Sequence, residues 1–329
     1  MTALTDSFSR TARKLRISVT DRCNFRCQFC MPKTPIWLPH SDILTYEEIR
    51  RVTVLLAKMG VTKIRLSGGE PLMRRDIEKL VALLSKIDGI QSLSMTTNGF
   101  LLEEKAVALK EAGLGGLTIS LHSLKAGKFS EITGGGTLDR VLAGIKAAKA
   151  CGFNPLKLNA VIIRGCNEDE ILDLASLAES GDVAVRFIEY MPFDGQHLWT
   201  MAKVFSGEEI VSRIREQYEL ELIPRESGST AKNYKMAGGM GRIGIITSIT
   251  EPFCSDCDRI RLSADGKIVP CLFDRTGFDL RPLLRGGGTD QEIESFIVSA
   301  VQRKAPGVET LLKKYNVPEH VRPMHTIGG

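Results

Sequence analysis

The sequence predicts an α/β protein built as an open, partial (βα)6 TIM-like barrel, followed by a smaller C-terminal α+β region. Three observations support this. Six short apolar segments with strand character alternate with segments of helical period over the first two-thirds of the chain, the order that builds a parallel sheet. Polar and glycine-rich clusters repeatedly follow the C-terminal ends of those segments, the edge on which parallel α/β folds carry their sites. Six units fall short of the eight that close a barrel, so the sheet is expected to stay open.

Leu15–Val19 is the first strand and runs into a loop rich in cysteine. Tyr46–Lys58 is a helix, with Thr45 as N-cap and Glu48 three residues on, a capping box. Lys63–Leu66 is a strand ending in Ser-Gly-Gly-Glu-Pro, and Asp76–Lys86 is helical. Ile90–Met95 is a strand leading into Thr96-Thr97-Asn98-Gly99, and a helix follows as far as Ala112. Leu117–Leu121, Lys157–Ile163 and Val183–Ile188 are further strands, with helices at Leu138–Ala150 and Ile171–Glu179 between them. After about Pro224 the pattern changes, which divides the chain into a barrel domain (1–224) and a C-terminal region (225–329). Ser227–Thr230 and the glycines from Gly238 to Gly244 make a loop-rich join. Beyond it come a short strand, Ile243–Ile249, a second group of cysteines, and a glycine- and charge-rich remainder that reads as loosely ordered.

With 329 residues the chain has ample core. Its 44 basic and 39 acidic residues leave a net charge of +5, too mild and too evenly spread for a nucleic-acid partner but suited to a small anionic substrate. The sequence has no apolar run long enough for a membrane span and no apolar core of a secretory signal at its N-terminus. Six of the eight cysteines fall into two tight triplets, while Cys151 and Cys166 stand alone. That is metal grouping rather than a disulfide framework, and it implies a reducing, cytoplasmic setting.

Cys23, Cys27 and Cys30 are spaced C-x3-C-x2-C. Saturated [4Fe–4S] clusters take four cysteines, so three thiolates hold one face of a cluster and leave an iron open for another ligand. Structural zinc would want a fourth ligand, which no nearby His or Cys supplies. Cys254, Cys257 and Cys271 form a second triplet, C-x2-C-x13-C. Here a zinc ribbon completed by a distant His320 or His325 competes with a second iron–sulfur cluster. Within this triplet, Arg259 and Arg261 would project from one face of a strand and offer a fork-shaped anion site suited to phosphate oxygens. A pair of solvated surface arginines is the plainer alternative. Arg16, on an otherwise apolar strand just before the first triplet, is a third candidate.

Several motifs follow one another in a fixed order: Thr20-Asp21-Arg22-Cys23-Asn24-Phe25-Arg26-Cys27, Arg65-Leu66-Ser67-Gly68-Gly69-Glu70-Pro71, Thr96-Thr97-Asn98-Gly99, Arg186-Phe187-Ile188-Glu189-Tyr190-Met191-Pro192, the arginine-bearing second triplet, and Gly328-Gly329. Together they resemble the GTP 3′,8-cyclase family (molybdenum cofactor biosynthesis protein A) of radical S-adenosylmethionine (SAM) enzymes, from about residue 13 onward. The resemblance implies a barrel of radical SAM type with two [4Fe–4S] clusters, the second in the C-terminal region. It implies a lyase that opens molybdenum cofactor (molybdopterin) biosynthesis. A 5′-deoxyadenosyl radical derived from SAM would remove the C3′ hydrogen of GTP, and C3′ would close onto C8 to give (8S)-3′,8-cyclo-7,8-dihydroguanosine 5′-triphosphate. An external electron donor of flavodoxin or ferredoxin type, transfer of the product to cyclic pyranopterin monophosphate synthase, and room for a homodimer are also implied.

For SAM, the resemblance implies that Gly68 and Gly69 let backbone approach the amino group and that Glu70 accepts from it. Phe29, where the family often has Tyr, would meet adenine through its backbone. Ser120 would bond the SAM carboxylate or ribose, Arg186 would be a second SAM contact or a helper near the substrate, and Met191 would pack on adenine. Without the resemblance Met191 reads as ordinary core. For GTP, it implies a triphosphate clamp of Arg16, Arg259 and Arg261, with Arg65, Thr96, Lys157 and Ile260 also in the pocket and the second cluster against guanine. Catalytic roles would fall to Arg16, Arg259, Arg261, Gly328 and Gly329. The two glycines would thread a cavity too narrow for a Cβ, with Arg322 or His325 anchoring them from outside. His122 stands where the family more often has Asp and would share a face with Ser120. Cys151 and Cys166 read as small buried apolar residues. A peptide- or RNA-modifying radical enzyme is the rival enzyme reading, and a two-cluster electron carrier the non-enzyme one, although carriers saturate each cluster with four cysteines.

Overall fold

The barrel strands alternate between residues turned outward to the helices and residues turned into a central cavity. In β1 (Lys14–Ser18), Leu15 and Ile17 are buried in the main core while Lys14 and Arg16 line the cavity. The same alternation runs through β2 (Lys63–Ser67), β3 (Ser92–Thr97), β5 (Leu156–Ile162) and β6 (Ala184–Glu189), with β4 (Gly116–Ser120) buried along most of its length. A period of two is what a sheet with one packed face and one wet face requires. This computed structural model describes residues 3–310 and 322–328.

β1 to β6 lie side by side in sequence order and pair in parallel throughout. The crossovers are α1 (Tyr46–Lys58), α2 (Ile77–Ser85), α3 (Leu102–Glu111), α4 (Ala126–Thr133) with α5 (Leu138–Ala150), and α6 (Ile171–Ser176). The expected open, partial (βα)6 barrel is therefore present, and the capping box at Thr45 and Glu48 is formed in both directions. α7 (Gly207–Arg215), unexpected from the sequence, carries a second such box at Ser206 and Glu209.

The strands after β6 extend this sheet at both edges. Past β6, β9 (Arg242–Ile246) adds in parallel, and β7 (Leu220–Ile223) and β8 (Lys232–Met236) follow antiparallel outside it. At the other edge β10 (Arg259–Leu262) pairs in parallel with β1, setting Arg261 opposite Arg16. Antiparallel β11 (Lys267–Val269) and β12 (Phe278–Asp279) complete one twelve-stranded sheet.

Two expectations need correction. The loop-rich join holds β8, whose Lys-Asn-Tyr-Lys-Met sequence has no apolar alternation to announce a strand. The charge-rich stretch read as loosely ordered contains α8 (Arg281–Arg285) and the thirteen-residue α9 (Asp290–Gln302). Thr289 and Glu292 cap α9, and Ile293, Ile297, Ala300 and Val301 form its buried face at helical spacing. Arg51 of α1 bonds Asp290 at 2.7 Å and holds α9 to the barrel. Among the described residues no helix is long and apolar enough to cross a membrane.

α3 and α5 approach closely at Gly144. A Cβ there would collide with the Gly99 carbonyl oxygen and stand 3.1 Å from Leu102 Cβ. Gly144→Val should therefore lower stability by about 2–3 kcal/mol through overpacking, measured as a lower urea midpoint at unchanged slope. An unchanged midpoint would show that the two helices separate freely.

Candidate active site

A cavity of ≈ 1680 Å³ occupies the barrel interior and is lined by residues of both cysteine triplets. The first triplet lies on the loop after β1, at the C-terminal edge of the sheet. The second belongs to a different place. β9 runs parallel to β6 and β10 parallel to β1, so the connection between β9 and β10 must return from the C-terminal edge to the N-terminal one across the open side. At its start Glu189, fully buried at the end of β6, accepts from Ile249 N (2.8 Å) and Thr250 N (3.0 Å). At its end the Asp258 carbonyl accepts from Arg13 N and Lys14 N. Cys254 and Cys257 ride on this connection, and Cys271 follows β11 beside them.

The loop Ser67-Gly68-Gly69-Glu70 lies flush against the first cysteine loop. Gly69 N donates to Thr20 O (2.7 Å) and Glu70 N to Arg22 O (2.8 Å). A Cβ on Gly68 would stand 2.6 Å from Thr20 O, and one on Gly69 would strike the Asp21 and Arg22 carbonyls. Close packing of two loops is thus a requirement on both glycines that the sequence did not reveal. The Glu70 carboxylate, 1% exposed, accepts from Leu72 N, Thr97 Oγ1 and Asn98 N at 2.6–3.0 Å, yet burial pushes its pKa up to about 7.

Burial, with the Glu70 charge adding, raises the Cys23 thiol to about 12. Cys27 and Cys30 are also raised, first by burial and then by neighbouring thiols. Phe25 N points at Cys23 Sγ (3.4 Å) and Asn98 Nδ2 lies 3.9 Å from it, donors that suit a metal-bound thiolate. Metal binding displaces protons from such thiols, so the donor set fits a cluster. Among the described residues no three His, Cys, Asp or Glu side chains converge as they would around a single ion. The Phe29 ring meets the His122 ring edge-on at 4.7 Å. Burial pushes His122 down to about 4, and its Nδ1 accepts from Val161 N (3.1 Å), so it is neutral with hydrogen on Nε2. Phe29, Ser120 and Met191 all line the cavity.

The cavity wall between the triplets is cationic. Arg16, Arg65, Thr96, Lys157, Arg186, Arg259 and Arg261 all line it. Arg16 is pushed well below the usual arginine range by burial and then by Arg261, Arg65, Arg259 and Arg186. Burial and Arg65 bring Arg186 down to about 9; burial, Arg186 and Arg65 bring Lys157 to about 8. Burial, with Arg259 adding, lowers Arg261 to about 10, and its buried Nε lacks a hydrogen-bond partner among the described residues. Among the described residues, none of these six cations forms an ion pair with a carboxylate. Neutral acceptors hold two of them: Arg65 donates to Thr118 Oγ1 (2.9 Å) and Thr96 Oγ1 (3.4 Å), and Arg186 to Asn159 Oδ1 (2.9 Å) and Thr118 Oγ1 (3.3 Å). Buried like charges without counterions are costly, and an anion with several oxygens would relieve them.

At the second triplet, Arg259 Nη2 lies 3.2 Å and Lys304 Nζ 3.4 Å from Cys257 Sγ, and Val308 N points at Cys254 Sγ (3.4 Å). Burial raises the Cys257 thiol, but Arg259 and Lys304 outweigh it and bring the group to about 7. These donors suit cluster-bound thiolates. Arg10, paired with Asp6 at 2.7 Å, fastens the loop through Cys254 O, Ala305 O and Pro306 O. One expectation needs correcting: the Ile260 side chain faces the core, so only the arginines of Arg259-Ile260-Arg261 reach the cavity. Lys304, Thr118, Asn159 and Gly244, whose Cβ would stand 2.8 Å from Arg186 Cγ, were missed. Period-two spacing from Ser120 and Lys157 would have found Thr118 and Asn159. Nothing local announces Lys304 or Gly244.

Gly328 reaches the C-terminal ends of β1 and β2, where a Cβ would stand 2.5 Å from Ser67 Oγ and 3.2 Å from Ser18 Cβ. Gly329 and His320 lie outside the described residues. Arg322 Nη1 donates to Thr276 O (3.4 Å). Cys151 and Cys166 are half-buried, with Gln28 Nε2 3.6 Å from Cys166 Sγ.

Two predictions follow from this electrostatics. The unfolded chain loses the Glu70 proton near 4.5, whereas the folded protein holds it to about 7. Relative to Glu70→Gln, the parent should lose on the order of 2–3 kcal/mol of stability as pH rises through that window. Parallel curves in chemical denaturation would show that Glu70 ionises freely. Arg261→Met removes one of several crowded cations, so without ligand it should be neutral or stabilising by about 1–3 kcal/mol. Tripolyphosphate should raise the melting temperature of the parent and do so far less in Arg261→Met. A destabilised variant with an undiminished tripolyphosphate response would refute the anion site.

The model of the radical SAM superfamily matches residues 17–178, and that of Molybdenum Cofactor Synthesis C matches residues 183–310. Human molybdenum cofactor biosynthesis protein 1 is 46% identical over 303 residues, 92% of this chain but 48% of that protein. The chain spans about half the length of the human, bovine and mouse relatives it matches. GTP 3′,8-cyclase of Thermodesulfovibrio yellowstonii is 41% identical over 329 residues, covering 98% of this chain and 99% of that one. The cyclase of Acidothermus cellulolyticus is 44% identical over 305 residues, 91% and 84% respectively. Among solved structures, Streptococcus suis SuiB bound to its precursor peptide SuiA superposes with a TM-score of 0.65 over 96% of this chain and 76% of that one, at 16% identity, a likeness of fold. On its motifs, its sheet and these relatives together, the chain belongs to the GTP 3′,8-cyclase family of the radical SAM superfamily.

Proposed function

We propose that the protein converts GTP to (8S)-3′,8-cyclo-7,8-dihydroguanosine 5′-triphosphate, the first step of molybdenum cofactor biosynthesis. The observation that carries this reading is the layer of six cavity-lining cations that, among the described residues, have no carboxylate partner and lie between two cysteine triplets on one cavity. A triphosphate is the anion whose charge and oxygen count match such a layer. Cys23, Cys27 and Cys30 hold the cluster on which SAM is bound. Cys254, Cys257 and Cys271 would hold a second, with Arg259 and Lys304 donating toward the Cys257 sulfur. When bound, the first cluster and SAM supply a 5′-deoxyadenosyl radical.

The remaining work belongs to the side chains. Glu70 accepts from the SAM amino group beside Gly68 and Gly69, and Ser120 and Arg186 face its carboxylate and ribose. The backbone at Phe29 and the side chain of Met191 take the adenine, with neutral His122 bracing the Phe29 ring. Arg16, Arg259 and Arg261 clamp the triphosphate, while Arg65, Thr96 and Lys157 complete the pocket. Gly328 reaches toward the substrate at a place where a Cβ would meet Ser67 and Ser18, and Gly329 shares the role that the family resemblance gives to the pair. The reading also includes residues 1–224 as the barrel unit and 225–329 as the unit bearing the second cluster. It includes an external donor of flavodoxin or ferredoxin type, transfer of the product to cyclic pyranopterin monophosphate synthase, and a homodimer, all on the family resemblance.

Anaerobic protein given SAM, dithionite and GTP should yield the cyclised nucleotide by mass spectrometry. Reconstituted protein should hold about eight irons, from two clusters of four. Replacing Cys23, Cys27 and Cys30 by Ala should halve the iron and abolish SAM cleavage. Replacing Cys254, Cys257 and Cys271 should halve the iron but leave some uncoupled cleavage. Stoichiometric zinc with four irons would sink the second cluster, and SAM cleavage without any change in GTP would sink the cyclase reading.

A further inference from the structure

Trp37 lies on the loop that follows the first triplet, and its position is tied to that triplet by several contacts. The Arg26 guanidinium stands 5.1 Å from the Trp37 ring and donates to Cys23 O (2.7 Å) and Phe25 O (2.8 Å). Next to Trp37, Leu38 N donates to Asp21 Oδ2 (2.6 Å). Trp37 also meets a residue much later in the chain. His325, 2% exposed, meets the indole edge-on with ring centroids 5.8 Å apart. Two buried polar atoms without hydrogen-bond partners among the described residues, Asp21 Oδ1 and His325 Nδ1, belong to residues that interact electrostatically here.

His325 sits on the short helix Met324–Ile327, which is gripped from a second side as well. Ile327 is fully buried in a small cluster with Phe193, Phe273 and Val308, and Met324 N donates to Phe193 O (3.2 Å). Gly328 follows at once with φ 75°, a conformation that glycine adopts without steric cost, and points at Ser18 and Ser67. The depth at which Gly328 enters is therefore set by how this helix is held. An aromatic edge contact on one side and a buried isoleucine on the other leave it little freedom.

We propose that Trp37 and His325 form a latch that seats residues 324–328 in the mouth of the cavity, with Trp37 a positioning residue for Gly328. The latch rests on the reading that this segment takes part in ring closure. It adds a link between the first cysteine loop and the far end of the chain, so that the segment seats correctly only on a correctly folded cluster loop.

The test uses the full chain after cluster reconstitution. In Trp37→Ala, amide hydrogen exchange across 324–328 should accelerate at least tenfold. Cyclised product should fall at least tenfold, while iron content, GTP affinity and 5′-deoxyadenosine formation stay within twofold. His325→Ala approaches the same contact from the other side and should behave alike even if Trp37→Ala folds poorly. Trp37→Phe, which keeps an aromatic edge, should restore most of the protection and most of the product. In a Trp199→Phe background Trp37 is the one remaining tryptophan, and deleting residues 324–329 should shift its emission to the red and at least double its quenching by iodide. Unchanged exchange in both Trp37→Ala and His325→Ala would overturn the latch. Full product from a chain lacking Gly328 and Gly329, with 324–327 still protected, would instead remove the segment from the reaction, and the positioning role would fall with it.

Discussion

The register of β10 on β1 is the constraint on which the rest depends. Leu15 pairs with Ile260 and Ile17 with Leu262, and all four are buried. In a parallel pair, residues set opposite one another share a face. Placing those four against the helices therefore sends Lys14, Arg16, Arg259 and Arg261 the other way. A slip of one residue would exchange the faces, driving cations into the apolar layer. The register that hides the hydrophobic residues is thus the register that gathers the arginines. It also fixes where the connection from β9 must end, and so where the second triplet lies.

Cations in this protein fall into two groups according to their partners. Arg10 is buried against Asp6, Arg51 reaches Asp290, and Arg285 reaches Glu48; each joins separate parts of the chain and each has a carboxylate. In the cavity, Arg65, Arg186 and Arg259 have threonine, asparagine or a carbonyl instead. Neutral acceptors orient a guanidinium without cancelling its charge. The apolar layer outside the sheet must offset the repulsion that results, a cost that a bound anion would return. A buried carboxylate in this wall would stabilise the empty protein and weaken the site.

What could be read from the sequence depended on whether the information was local. The strands from β1 to β6, α1 with its Thr45 cap and α5 were legible because period two, period 3.6 and cap chemistry are written in neighbouring residues. The triplets were legible as groups because their cysteines recur close together in the chain. β8 was not, since Lys232–Met236 lies between two other strands and owes its conformation to their backbone groups rather than to an apolar face. Lys304 comes to Cys257 from the end of α9, and Trp37 meets His325 from nearly three hundred residues away in the chain. Pairings of that kind exist only in three dimensions. Ile260 marks the limit of motif reasoning. It sits inside the arginine motif, and strand alternation alone turns it away from the cavity.

The sheet holds eight parallel strands in a row, β10 and β9 flanking the six expected ones, which is the number in a closed barrel. Closure would fill the interior with layers of side chains, leaving a packed core. Here β9 and β10 are not paired with each other, and the seam is spanned by the connection that bears Cys254 and Cys257. The interior therefore stays wide, at ≈ 1680 Å³, against the roughly 300–1,000 Å³ typical of a single small-ligand site. A volume of that size, with one triplet at the strand ends and the other on the seam, can hold two ligands at once in contact with each other. A closed eight-stranded barrel would carry its ligands on loops above the core and could not enclose both. On the proposed function, the unclosed seam is what would let chemistry between two small molecules take place inside the sheet.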